Sequence, residues 1–379
     1  MINFDNAATT GRKPQSVKAA VNRALSEYSA NPGRGGHKLS LKAGETVYEA
    51  REKISGFFGA SGGEHVIFTA NCTSAINYVL KGYLKPGDHV IVSDLEHNAV
   101  MRPLEKTGVQ KSIAQTSLTD DEITVGNFEK LIRENTKMIF CTAASNVCGK
   151  VLPVKELGAL CKKRGIVFGV DAAQAAGILP INVKEDGIDF LCVAPHKGLY
   201  APMGLGILIA ETDIGDTLIE GGTGTNSISM YQPENMPERY ESGTVNLPAI
   251  AGAAAGVDFA RGYAERGYLS EMRHLRRLYA ELSKLPYIRL YTPAPDDWKY
   301  MPVLSFNVLS VPSEKVAAYL DKRGIAVRAG LHCAPAAHIK FKTENTGTVR
   351  ISPSVFSTAA EFDYLIKILK NNLLKKLVE

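Results

Sequence analysis

Between about residues 64 and 210, short runs rich in Val, Ile and Phe alternate with segments of helical period, and this alternation sets the class of fold. The runs are HVIFTA (65–70), HVIVSD (89–94), KMIFCTA (137–143), IVFGVD (166–171), DFLCVA (189–194) and GLGILIA (204–210). Each is short and apolar at successive positions, the pattern of a strand buried on both faces. Between them Ile76, Val79, Leu80 and Tyr83 fall at helix spacing, as do Val154, Leu157, Leu160 and Cys161. Strands alternating with helices predict an α/β fold, a mostly parallel sheet covered on both sides. In such sheets ligands collect at the carboxyl ends of the strands, so the residues there are the ones to weigh.

After residue 211 the pattern changes. A Gly- and Pro-rich stretch (GGTGTNSISMYQPENMPERYESGTVN) leads into an Ala/Gly-rich helical segment from about 248 to 285. Strand-like VLSFNVL (303–309) and AVRAG (326–330) then flank a helix over 313–324, and a closing helix is expected over 359–377. A chain of 379 residues exceeds what one core usually fills. The expected division is a large α/β domain over 15–254 and a smaller α+β domain made of 1–14 with 255–379.

Charge and cysteine usage narrow the partners. A net charge of +5 with Lys and Arg scattered among acids leaves no basic block to follow a phosphate backbone, so nucleic acid is not expected. No basic and apolar leader opens the chain, and no run of about 18 apolar residues suggests a membrane span. The six cysteines form no C-x-x-C pair, and all but Cys333 lie in or beside apolar segments, as small buried hydrophobes do. A reducing, cytoplasmic home is the expectation.

Several strand ends carry chemistry. Asp171 ends IVFGV, where a carboxylate is costly to bury unless paired; it reads as a helix N-cap, a buried ion pair, or the partner of a protonated ring nitrogen. Lys197 follows DFLCVAPH with apolar neighbours, where surface lysines are scarce and desolvation frees the amine for Schiff-base chemistry. TANCTSAIN joins a strand to a helix with Thr73 near its start, a cap or a phosphate cradle. His97, in DLEHNAV, suits either a structural role or stacking on a planar ring, and Asn146 occupies the corresponding turn after the next strand. Cys333, in VRAGLHCAP, sits in a Gly/Ala/Pro loop outside any apolar run, with Arg328 and His332 near in sequence to favour its thiolate; the alternative is an inert cysteine.

DNAATT, YEAR, FTANCTSAIN, DLEHNAV, ASNVCGK, VDAAQ, PHKGLYAPMG, ESGTVN and VRAGLHCAP together resemble, in order and over nearly the whole chain, the class V aminotransferase-fold cysteine desulfurases. The likeness is to the type II (SufS-like) branch and its selenocysteine lyase relatives. It implies the pyridoxal phosphate (PLP)-dependent transferase fold type I, with a mostly parallel seven-stranded sheet. It implies PLP carried on Lys197, with Asp171 on the ring nitrogen, Gln174 on the ring hydroxyl and His97 stacked on the ring. Thr73, Cys72 and His196 would hold the phosphate, joined by Gly222 and Thr244 from the partner in a homodimer. Asn146, Arg350 and Arg328 would meet the substrate; the alternative for Arg350 is a plain surface arginine. Cys333 would take the sulfur of L-cysteine as a persulfide, leaving alanine, for transfer to an acceptor protein. The rival readings are a selenocysteine lyase, a transaminase or other lyase on the same scaffold, and a non-catalytic sulfur-transfer scaffold. The chain departs from the family pattern at Cys72, Ala194, Pro195 and Leu331, which stands where the first histidine of an H-H-C signature is usual.

Overall fold

The structure is a computed structural model; it describes residues 1–371 except Arg34, Asn226 and Ser310. The expected sheet is present with seven strands, in the spatial order Val66–Thr69, Gly206–Ala210, Phe190–Val193, Val167–Asp171, Thr136–Thr142, His89–Ser93 and Gln110–Ala114. Only Gly206–Ala210 runs antiparallel to its neighbours. All six apolar runs are strands of this sheet. The seventh, Gln110–Ala114, is an edge strand whose sequence QKSIA is half polar and half exposed, so no apolar run marks it.

Successive strand residues point to opposite faces, and the sheet therefore feeds two cores. Ile139, Cys141, Phe168, Val170 and Leu191 enter one, packed beneath the N-terminal helices. Met138, Phe140, Phe190, Cys192 and Leu208 enter the other, beneath the helix Cys72–Tyr83. The helices Gln15–Ser26 and Lys38–Phe58 meet the first half of the long helix Leu247–Leu282 over the first core. Their buried faces carry Ala20, Ala24, Ala43 and Ala50, small residues that let helices approach closely and leave a faint periodic signal.

A third core belongs to the chain's later part. Four antiparallel strands, in the order Arg328–Gly330, Thr348–Ile351, Leu304–Val308 and Ile288–Leu290, pack against the helices Ser313–Asp321 and Ala359–Lys370. Thr348–Ile351 and Ile288–Leu290 escaped the sequence reading, the former because a charged Arg350 interrupts it. Residues 372–377 of the expected closing helix lie outside the described residues. Leu247–Leu282 runs unbroken across position 254, serving the first core through Ala260 and the third from Tyr268 onward. The N-terminus joins the later part: Ile2–Asn3 pairs in parallel with Ile325–Ala326, and Asn6 donates its amide to Ser352 O at 3.1 Å.

Candidate active site

Parallel strands bring their carboxyl ends to one edge, and four successive loops there carry His97, Asn146, Asp171 with Gln174, and Lys197. With Cys72 and Thr73 from the loop after Val66–Thr69, they line a cavity of about 120 Å³. Seven residues spread over more than a hundred positions of sequence thus converge as expected.

The loop 70–73 is shaped by its helix. Asn71 caps Cys72–Tyr83 by accepting from Ser74 N at 2.9 Å, which leaves exposed Thr73 in the first turn, where helix N–H groups lack intrahelical partners. Gly206 permits this path, since a Cβ there would stand 2.2 Å from the Asn71 carbonyl carbon. A helix start with its positive dipole end facing a cavity suits a phosphate.

Asp171 is 4% exposed. Its Oδ1 accepts from Ala173 N at 2.9 Å and from the Cys72 thiol at 3.8 Å, while among the described residues no donor reaches Oδ2. Burial pushes its pKa up, and the Ala173 N–H and the nearby Lys197 charge pull it back. Lys197 is pushed down by burial and partly restored by Asp171. The Cys72 thiol is pushed well up by burial and by Asp171, so it stays protonated as the donor in that contact. Cys72 is only half-buried and fronts the cavity, unlike Cys141, Cys148, Cys161 and Cys192, which are buried as expected.

His97 caps the helix Asn98–Thr107 through Nδ1, which accepts from Ala99 N at 3.0 Å. Burial, then the charges of Lys197 and Arg328, bring its pKa down to about 4. The ring is therefore neutral near pH 7 with its proton on Nε2. His196 is likewise brought down to about 4, by burial and then by Lys197 and Lys13.

The segment DNAATT straps the cavity from behind. Thr10 Oγ1 donates to His196 O at 3.0 Å, and Gln174 Nε2 donates to Ala7 O at 3.1 Å. Among the described residues no other hydrogen bond engages the Gln174 side chain. Lys13 Nζ adds donations to Thr10 Oγ1 at 2.8 Å and to His196 O at 3.2 Å. Sequence reasoning quoted this motif without assigning its side chains; its density of small hydrogen-bonding residues was the available signal.

Cys333 is exposed on a turn in which His332 and Cys333 both adopt left-handed backbone, with φ of 48° and 57°. The turn is docked on the cavity rim. Asn98 N donates to Cys333 O at 2.7 Å, and Asn146 Nδ2 donates to His332 O at 2.7 Å. Behind it, Lys340 from the helix Pro335–Phe341 pairs with Asp94 at 2.7 Å. Arg328 Nη2 meets the sulfur at 3.6 Å. His332 does not. Its ring turns inward, is 2% exposed and bonds Thr348 through Nε2 at 3.0 Å; burial, with Arg350 second, lowers its pKa to about 2. Consecutive left-handed residues send neighbouring side chains apart, which adjacency in sequence conceals.

Arg350 is no surface arginine: it is 1% exposed. Nη2 donates to Asp5 Oδ1 at 2.8 Å and Nη1 to Asn146 O at 2.9 Å. Gly222 and Thr244 stand apart, since neither borders the cavity of its own chain. They lie on a loop closed by Gly243 N donating to Gly222 O at 2.9 Å.

This arrangement has close parallels. The sequence matches the family model for class V aminotransferases over residues 2–365. The chain belongs to the class V aminotransferase family. Its similar relatives include a probable cysteine desulfurase of Methanothermobacter thermautotrophicus, 34% identical over 96% of this chain and 93% of that one. A cysteine desulfurase of Haloferax volcanii is 30% identical over 97% of this chain and 88% of its own. Among solved structures, the apo cysteine desulfurase of Thermococcus onnurineus superposes with a TM-score of 0.91 at 32% identity, covering 99% of this chain and 95% of that one. Escherichia coli cysteine desulfurase CsdA in its S-sulfonic acid form gives 0.86 at 25% identity, covering 99% and 95%.

Class V aminotransferases with these relatives are PLP-dependent enzymes of fold type I. The cavity of this family member fits the cofactor on its own terms. It offers a buried carboxylate with one oxygen that no donor among the described residues reaches, a desolvated amine, a neutral imidazole and a helix start. Ala194, on the cavity wall, brings no hydroxyl to the site.

Proposed function

We propose that this chain is a cysteine desulfurase that takes sulfur from L-cysteine onto Cys333. The observation that carries the reading is the docking of the Cys333 turn on Asn98 and Asn146, which sets an exposed thiol at the mouth of the cavity lined by Lys197 and Asp171. When bound, PLP supplies an electron sink conjugated to the substrate's α-carbon.

The protein's own groups do the rest. Lys197 Nζ anchors the cofactor, and its lowered proton affinity keeps the lone pair available. Asp171 would keep a proton on the ring nitrogen, His97 would face the ring, and Gln174 would meet the ring hydroxyl. Thr73, Cys72 and His196 would hold the phosphate. Arg350 grips the substrate carboxylate with Asn146 beside it, and Arg328 orients the thiol. Cys333 Sγ attacks the substrate sulfur; the S–S bond forms as the C–S bond breaks. That bond's electron pair stays with carbon, which takes a proton and leaves as alanine.

The test is incubation of PLP-loaded protein with L-cysteine and a thiol reductant, measuring alanine and sulfide. The expected result is equal yields of both from wild type and neither from Cys333→Ala. Undiminished sulfide from the variant refutes the persulfide route. Turnover confined to selenocysteine assigns a lyase, keto-acid formation a transaminase, and no turnover a scaffold.

The working unit in this reading is a homodimer. Gly222 and Thr244 complete the partner's phosphate site, and their loop carries Ile228, Met230 and Tyr231 at 96%, 100% and 88% exposure. Side chains of that size are left bare when another surface covers them. A cytoplasmic location follows from six free thiols, and no described helix is long and apolar enough to cross a membrane; cell fractionation checks it.

A further inference from the structure

Arg350 presents an electrostatic problem that its neighbours solve in an informative way. A guanidinium 1% exposed needs a counter-charge, since several kcal/mol oppose burying a bare cation. Its cross-strand partner is Arg328, another cation, so the sheet register makes the problem worse. Burial and Arg328 both oppose its charge, and Asp5 is the acid that supports it. Asp5 is itself fixed: its N–H donates to Asn3 Oδ1 at 2.9 Å, and its backbone bridges to Ser352. The Asp5 carboxylate takes one oxygen to Nη2 at 2.8 Å, the Asn146 carbonyl takes Nη1, and Nε is buried with no partner among the described residues.

We propose that Asp5 is a positioning residue for substrate recognition: it holds Arg350 by one side of the fork and turns the remaining N–H groups toward the substrate's carboxylate. The proposal rests on the reading of Arg350 given above. Asp5 contacts neither substrate nor cofactor. It reaches the reaction through Arg350, a link between the N-terminal strap and the strand Thr348–Ile351. A competing arrangement, in which Asp5 blocks the guanidinium until substrate displaces it, predicts the opposite change on removing Asp5.

The test uses PLP-loaded full-length protein and two amines that differ in a carboxylate, L-alanine and ethylamine, titrated by cofactor absorbance. In Asp5→Ala the half-saturation for L-alanine is expected to rise about tenfold, the scale of one lost charge-assisted contact. Ethylamine titration stays at the wild-type value, and Asp5→Glu restores part of the L-alanine affinity. For L-cysteine turnover KM rises by a similar factor while kcat stays within about twofold. Unchanged or tighter L-alanine binding overturns the proposal, and so does equal weakening for both amines, which marks general damage. A wild type that releases no sulfur sinks the desulfurase reading, yet a selective loss of L-alanine binding in Asp5→Ala still upholds Asp5's part.

Discussion

Replacing Lys340 with Met should loosen the Cys333 turn and lower stability together. Lys340 donates to Asp94 Oδ2 at 2.7 Å and to Thr116 O at 2.5 Å. The side chains of the pair are 16% and 4% exposed, so solvent screens the interaction little. Removing one member of a buried pair costs about 3–5 kcal/mol, because the other charge is stranded. Asp94 keeps two donors, Thr116 Oγ1 at 2.6 Å and Thr116 N at 3.1 Å, which places the cost near the lower end, about 3 kcal/mol. Met retains the aliphatic stem, so the loss is electrostatic. A thermal melt should fall by several degrees. Sulfur release should drop about tenfold, since the His332 and Cys333 carbonyls stay anchored and the displacement is small. The double variant Asp94→Asn with Lys340→Met should recover more than about 1 kcal/mol, because no charge is then stranded. A Lys340→Met protein that melts and turns over like wild type refutes the reasoning, and a double variant no better than the single refutes its electrostatic basis.

Two other outcomes are expected. Glu271, 5% exposed in the long helix, has its pKa raised to about 8 by burial. Above pH 5 the unfolded chain gives up that proton while the native protein keeps it, so stability falls as pH rises to 8, by up to about 1.4 kcal/mol per pH unit. Glu271→Gln should flatten the dependence of melting temperature on pH over this window; equal slopes for both proteins would contradict the assignment. Ile228→Ser, Met230→Ser and Tyr231→Ser together should convert a sedimenting dimer into single chains and weaken PLP retention. A wild type that sediments as one chain removes the basis for both.

The central sheet and its ligand edge were legible because strands buried on both faces must be written in apolar runs, and residues ending such runs have one place to go. What escaped was written in weaker script. The edge strand Gln110–Ala114 has solvent on one side and needs no apolar run. The N-terminal helices bury alanines, whose periodicity is slight. Convergence of Lys197, Asp171, His97 and Asn146 followed from topology alone. Partnerships did not: Asp5 with Arg350 and Lys340 with Asp94 join residues hundreds of positions apart, and only coordinates pair them. His332 misled because proximity in sequence was taken for proximity of side chains, which a left-handed turn abolishes.

The clamped turn at 331–334 has a consequence for whatever receives the sulfur. The His332 and Cys333 carbonyls are each held by a 2.7 Å hydrogen bond, which restrains the backbone that carries the thiol. A second sulfur atom extends the reach of Sγ by only about 2 Å. In the proposed desulfurase, delivery from Cys333 would call for a recipient that brings its own thiol to the surface beside Leu331, on a projecting tip or as a small molecule in solution. A carrier whose cysteine lies at the bottom of a recess would go unloaded, however tightly it bound.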